Sequence, residues 1–372
     1  LSMHEILKQS SNPEICKPLV AAVIEKAQLF QHKFGRKPAF MEVCGSHTMA
    51  LARTGVKQCL KDSVNLISGP GCPVCVTDQR SIDAMIALAE GENRIICTFG
   101  DMMRVPGSKE TLLQAKIAGR DIRILYSPVE AVKIAEENPD KEVIFLGIGF
   151  ETTIPILTLM IGEAERRGIA NFSIWMTTKL VEPILRYLLE AGEVQLDGFL
   201  LPGHVSIVLG EESYQYLVDD YQTSGVITGF EPAELLSGIY KLLHLALTDQ
   251  AAIENNHRSV VRKNGNSISR EWMEKYLTPC DEAWRGIGII PNSGLDLKPE
   301  YDQYNAKKRF NIEVAEPKPT KCRCGEVIRG LITPNECPLF GKACQPMNPI
   351  GPCMVSAEGS CAAYYHYMRE SF

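Results

Sequence analysis

The sequence predicts an α/β protein: two small parallel-sheet lobes around a cleft, followed by a helical, cysteine-rich domain. Three observations carry this. Short apolar runs are continuous rather than alternating, as in strands covered on both faces. Segments with a helical period separate them. Past Gly238 the alternation of the two stops, and six of the 13 cysteines crowd between Cys322 and Cys361.

Residues 1–33 read as helix, with Leu19, Val23, Ala27 and Phe30 on one face. The candidate strands are Ala39–Val43, Val64–Ile67, Ile95–Phe99, Ile122–Tyr126, Val143–Gly147, Phe172–Met176, Gly198–Leu201 and Val226–Thr228. Helical periods occupy Ser81–Glu90, Leu112–Ala118, Pro128–Glu137, Leu157–Arg167 and Val181–Ala191. The division expected is a first lobe over 34–126 and a second over 127–238, with a break near Ile124–Pro128. The domain 239–372 is expected to take the N-terminal helices against it. Within it, 239–276 is mostly helical, 277–320 is rich in Pro, Gly and charge, and Glu313–Lys321 resembles a linker.

Composition narrows the function. Hydrophobic residues at 45% and charged residues at 23% are the balance of a soluble globular chain, and 372 residues exceed what one core usually serves. A net charge of −6 and a pI near 5.8 argue against nucleic acid or acidic lipid as the main partner. No apolar stretch approaches the ~20 residues of a membrane helix. The first residues lack a basic region followed by an apolar run, so a cytoplasmic location is expected. There, clustered cysteines point to metal or redox chemistry, not to disulfide scaffolding. Cys97, inside an apolar run, and the isolated Cys16, Cys59 and Cys280 are expected to be small packed hydrophobes.

Cys44, Cys72, Asp101, Glu151, His204 and Glu231 each follow a predicted strand directly or within a few residues. Ligands of open α/β sheets bind beyond the carboxyl ends of the strands. Any one of the six fits a turn or helix cap as well. Together they point to a shared cleft between the two sheets.

Two thiol motifs stand near the start. Met41-Glu42-Val43-Cys44-Gly45-Ser46-His47-Thr48 runs from strand through a Gly turn into helix. A cysteine at a helix N-terminus is expected to have a lowered pKa, and His47 stands close enough to donate to something bound at the sulfur. The alternative is a packed thiol with a capping histidine. Ser68-Gly69-Pro70-Gly71-Cys72-Pro73-Val74-Cys75 places a Cys-x-x-Cys between strand and helix, the context of a thioredoxin-like dithiol. Half of a zinc site or two packed thiols would explain it too. No phosphate-binding Gly loop, nucleophile elbow or metalloprotease helix occurs.

In the tail, Cys322, Cys324, Cys337, Cys344, Cys353 and Cys361 fall within forty residues with no histidine among them. All-thiolate ligation fits an iron–sulfur cluster or a four-cysteine zinc site. The Cys337-x6-Cys344 spacing is too wide for a zinc knuckle, and spacing alone does not pick four ligands from six.

These motifs together resemble the HypD family of hydrogenase maturation factors. The likeness continues in Cys97-Thr98-Phe99-Gly100-Asp101, Gly149-Phe150-Glu151-Thr152-Thr153, Pro202-Gly203-His204-Val205-Ser206 and Gly229-Phe230-Glu231-Pro232, and so runs through nearly the whole chain. In the tail, Cys324, Cys337, Cys344 and Cys361 match the family's 4Fe–4S pattern, while Cys322 and Cys353 fall outside it. Ser46 stands where many relatives have Gly, and Met49 where some have a second His.

The resemblance implies a redox-active scaffold for the Fe(CN)2CO group of NiFe hydrogenases. It would work with a HypC-type small chaperone and accept cyanide from a HypE-type partner, as a monomer within a hetero-complex. Cys44 matches the thiol that holds the iron, and Cys72 and Cys75 match a redox-active pair that a cluster would supply with electrons, as in ferredoxin–thioredoxin reductase. His47, Glu151 and His204 are then candidate donors to cyanide nitrogens on the bound iron. Two alternatives remain: an iron–sulfur thiol–disulfide oxidoreductase acting on a protein, and a zinc-stabilised interaction module.

Overall fold

The computed structural model describes residues 10–317 and 320–368. Two all-parallel sheets organise it. The first has five strands in the order β2-β1-β7-β8-β9, and the second four in the order β4-β3-β5-β6. Their strands are β1 Ala39–Glu42, β2 Asn65–Ser68, β3 Arg94–Thr98, β4 Ile122–Ile124, β5 Glu142–Gly149, β6 Phe172–Thr178, β7 Gly198–Pro202, β8 Gly225–Thr228 and β9 Ile253–Asn255. All eight strands expected from the sequence form. So do the five helical segments, Val181–Ala191 with both ends as expected and the others with ends within three residues.

Each sheet buries both faces, which is why its strands are continuously apolar. Met41, Ile67, Phe199, Leu201 and Ile227 of one sheet share a central core with Ile96, Ile144, Leu146 and Ile148 of the other. Alternate residues point outward. Phe40, Leu200 and Val226 meet helices Pro13–Phe34 and Pro232–Leu247, while Val143, Phe145 and Ile174 meet helix Ile154–Arg167. Cys97 lies fully buried in that second outer core, as expected. Cys59 is exposed, and Cys16 and Cys280 are only partly buried, so those three are not the core thiols their isolation implied.

The sheets are not consecutive in sequence. The chain builds β1 and β2, crosses to build β3 to β6, and returns for β7 to β9. The Ile124–Pro128 break therefore lies between β4 and β5 of a single sheet. The first crossing carries Cys72 and Cys75, and the second follows Lys179. Both crossings thus leave from the carboxyl ends of strands, β2 and β6.

Three strands had no clear signal. β9 is a three-residue edge strand, and β10 (Leu277–Trp284) and β11 (Gly288–Leu297) form an antiparallel hairpin. One face of the hairpin is solvated and carries Pro279, Asp281, Pro291 and Asn292, which read as loop residues. The other buries Trp284, whose backbone bridges Thr77, and Arg285 N–H donates to the Val76 carbonyl at 2.8 Å. The hairpin thereby backs the Cys72–Cys75 turn.

The N-terminal helix is Pro13–Phe34, capped by the Asn12 side chain and stopped by Gly35 in the left-handed region at φ 71°. It packs against Pro232–Leu247 and buries Val23, Ala27 and Phe30. Residues 1–9 of the expected helical stretch lie outside the described residues, as do Lys318 and Pro319 of the expected linker. Over Glu313–Pro317 the linker has no regular structure. Among the described residues no helix is long and apolar enough to cross a membrane.

Candidate functional site

β1 delivers Cys44 as the N-cap of helix Gly45–Arg53. The first helical turn, through the amides of His47 and Ser46, favours thiolate at its sulfur. Burial opposes them and wins, with a smaller push from the Glu358 carboxylate, and the thiol is held up at about 11. The lowering expected from the helix N-terminus is therefore reversed: the residue keeps some exposure, but protein encloses its sulfur.

The second thiol motif lies directly against the first. Gly69 N–H donates to the Glu42 carbonyl at 2.9 Å. A Cβ placed on Gly71 would stand 2.4 Å from the Cys44 Cα, so only glycine lets the loop sit there. Cys72 then caps the short helix Pro73–Val76, and Cys72 and Cys75 are joined as a disulfide. Both are buried, at 5% and 2% exposure.

His47 is fully buried. Its Nε2 lies 3.2 Å from the Thr228 carbonyl and 3.1 Å from that of Gly229, so Nε2 carries the proton and Nδ1 is left as an acceptor without a partner. Burial lowers its pKa to about 4, which keeps the ring neutral near pH 7. A neutral His47 in this tautomer cannot donate from Nδ1. Phe230 stands between the two histidines, 4.7 Å from His47 and stacked on the exposed His204 at 4.2 Å. Burial also lowers His204, Glu358 raises it and His257 lowers it further, so His204 feels charge from both sides.

Glu151 follows β5 and is 2% exposed. Its Oε1 accepts from Val181 N–H at 2.8 Å, and its Oε2 is buried without a partner. Desolvation pushes the carboxyl up to about 7. Tyr214, hydrogen-bonded to Ser206 at 3.0 Å, feels both Glu151 and Cys44 and so joins the two sheets' contributions. Of the remaining strand-end residues, Glu231 caps helix Pro232–Leu247 in a capping box with Glu234, and Asp101 accepts from Ser356 at 2.8 Å.

Sequence reasoning missed Glu358, Phe230, Tyr214 and His257. Phe230 lies inside a motif that resembles the family's, but nothing in the sequence gives it a contact with two histidines. Glu358 reaches the Cys44 turn from the other end of the chain, where its Oε1 takes the Ser46 hydroxyl at 2.5 Å.

All six tail cysteines line one cavity, walled further by Val327, Leu339, Phe340 and Met354. Cys324 contacts Cys322 and Cys353, and Cys353 contacts Cys361. The Cys344 sulfur accepts from Ile350 N–H at 3.3 Å. Among the described residues, no three His, Cys, Asp or Glu side chains gather about one point as a single metal ion requires. Six thiols around one apolar wall, with the Ile350 N–H on the Cys344 sulfur, make an all-sulfur donor set of the kind an iron–sulfur cluster takes. Helix Cys324–Ile328 and the turn Pro352–Met354 both pack on Pro73–Val76, so the cavity adjoins the disulfide.

A family model described as HypD, hydrogenase formation hypA family, matches residues 18–368. Among curated proteins, the chain is 40% identical to the hydrogenase maturation factor HypD of Escherichia coli strain K12 over 365 residues, 96% of each chain. It is 40% identical to the protein of the same name from Rhodobacter capsulatus over 362 residues, again 96% of each. It is 37% identical to a putative hydrogenase expression/formation protein of Methanocaldococcus jannaschii over 354 residues, 95% of this chain and 98% of that one.

Proposed function

We propose, from the premise that this chain belongs to the HypD family of hydrogenase maturation factors, that it is the scaffold on which iron receives its cyanide and CO ligands. The observation that carries this reading is the meeting of Cys44 with the Cys72–Cys75 disulfide at the carboxyl ends of two sheets. Iron is the cargo, held by the Cys44 thiolate together with a thiolate from a HypC-type chaperone. A HypE-type partner supplies cyanide. Exposed His204 and the protonated fraction of Glu151 are the donors suited to cyanide nitrogen, whereas His47 acts through its ring contact with Phe230.

The resident cofactor is a 4Fe–4S cluster held by Cys324, Cys337, Cys344 and Cys361, a reading supported by the gathering of these thiols, with Cys322 beside Cys324, on one apolar wall. Such a cluster would supply single electrons next to the disulfide. The chain's own residues hold the disulfide in place: Gly71 presses it on the Cys44 turn, and Arg285 clamps Val76 and Thr77 behind it. Burial of both disulfide sulfurs weighs against the oxidoreductase alternative, because a partner's thiol could not reach them without rearrangement.

The test is anaerobic iron and sulfide analysis with infrared spectroscopy on protein co-purified with its chaperone, wild type beside Cys44→Ala. Cyanide and CO stretches lost in the variant, with about four sulfides retained, are the expected result. Equal bands in both proteins would move the iron off Cys44, and one zinc without sulfide would favour an interaction module. Cys322→Ser and Cys324→Ser, compared for sulfide content, assign the fourth ligand.

A further inference from the structure

The segment between Cys353 and Cys361 touches both sheets at the site. Its two ends line the cysteine cavity. Its middle is tied three ways. Ser356 Oγ donates to Asp101 Oδ2 at 2.8 Å, beyond β3 of the four-stranded sheet. Glu358 Oε1 accepts from Ser46 Oγ at 2.5 Å, beyond β1 of the five-stranded sheet. Glu358 N–H donates back to Ser356 Oγ at 3.3 Å, joining the first two ties. The packing leaves no slack: a Cβ on Gly45 would lie 2.6 Å from Glu358 Cβ, and one on Gly359 would lie 2.2 Å from the Cys353 carbonyl oxygen. Gly45 and Ser46 directly follow Cys44 and open the helix that Cys44 caps.

We propose that this segment is a positioning strap, with Glu358 its working residue, that carries the state of the cysteine cavity to the Cys44 turn. The proposal rests on the reading of Cys44 as the cargo anchor. A closely packed loop whose ends are fixed by two cavity thiols cannot keep its apex in place when those thiols move. The apex holds Ser46, and Ser46 lies in the first helical turn that Cys44 caps. Ser356 on Asp101 sets the same apex against the opposite sheet, so the width of the cleft and the orientation of the Cys44 turn are fixed together. Interfaces of this kind shift between discrete arrangements instead of deforming gradually.

The experiment uses the full chain, purified anaerobically, and needs no maturation activity. Iodoacetamide alkylation of Cys44 at one pH is followed by peptide mass spectrometry, with hydrogen exchange of the Gly45–Arg53 amides alongside. Wild type is compared with Glu358→Gln, Ser46→Ala, Cys361→Ser and the Glu358→Gln/Cys361→Ser pair. Glu358→Gln is expected to raise Cys44 alkylation and local exchange about tenfold, within the range usual for coupled sites, while tail iron and sulfide stay at the wild-type level. Ser46→Ala should raise local exchange likewise. Cys361→Ser should raise both readouts to a similar extent, and the pair should add nothing beyond either single change.

Full additivity in the pair, or a Cys361→Ser chain with wild-type exchange at Gly45–Arg53, would overturn the strap. If Cys361→Ser fails to fold by circular dichroism, Ser356→Ala replaces it, with the same non-additivity required. Wild-type protein that binds no iron or sulfide would sink the cluster reading alone, because the Cys361–Glu358 cycle still measures the strap.

Discussion

Glu151 shows how one buried carboxyl sets a pH dependence. Desolvation lifts it from 4.5 to about 7, so the folded chain keeps this proton after the unfolded chain has released its own. Its contribution to stability is therefore complete below pH 4.5 and is lost as pH rises towards 7 and beyond. At about 1.4 kcal/mol per pKa unit, the loss reaches about 3 kcal/mol. Glu151→Gln should abolish this slope, so that its unfolding free energy gains on wild type between pH 5 and pH 8, read by urea titration at each pH. A wild-type slope unchanged by the substitution would place the titrating group elsewhere. At the same scale, Cys44 shows why motif reasoning needs burial: the helix N-terminus acts on it as expected and is outweighed.

Between elements, the Cys44 turn depends on what lies beneath it. Glu42, the last residue of β1, pairs with Lys57 of helix Val56–Leu60 at 2.7 Å and accepts from Ser68 of β2 at 2.9 Å, all three being buried. The Lys57 ammonium also lies 5.3 Å from the Tyr364 ring of the tail helix Ser360–Tyr367. Removing one member of a buried pair strands the other charge, so Lys57→Met should cost about 3–5 kcal/mol. Lys57→Met with Glu42→Leu should recover much of that loss, as denaturant unfolding of the two variants would show. Gly71 governs the next contact. Gly71→Ala puts a methyl into the Cys44 backbone, so it should separate the two thiol motifs and raise Cys44 alkylation. An alanine variant with the wild-type rate would show that the loop relaxes elsewhere.

At the scale of the molecule, two sheets, a hairpin and the cysteine-rich tail converge on the same strand ends. The tail is not an appended module: its last helix packs on helix Gly45–Arg53, and Cys324–Ile328 packs on the disulfide turn. Iron bound in its cavity would stabilise only the folded state. Removal of iron by an anaerobic chelator is therefore expected to lower the unfolding temperature by several degrees, with recovery on adding iron and sulfide. A calorimetric midpoint insensitive to chelation would separate the tail's fold from its metal.

The local order of the chain was legible because strand and helix periods are written in neighbouring residues. The eight strands, the five helices and the position of each thiol motif at a strand end all came from runs such as Val143–Gly147 and from Gly-containing turns. Hairpin β10–β11 was not legible, because its solvated face is made of loop-like residues and its buried face depends on Thr77 for a partner. The sequence by itself determined the α/β class, the place of the thiol motifs at strand ends and the family. Only the tertiary structure decided that the two sheets interleave, that Cys44 is held as a thiol by burial, and that Glu358 lies on Ser46. Desolvation and contact between residues 312 positions apart are properties of packing, which no window along the chain contains.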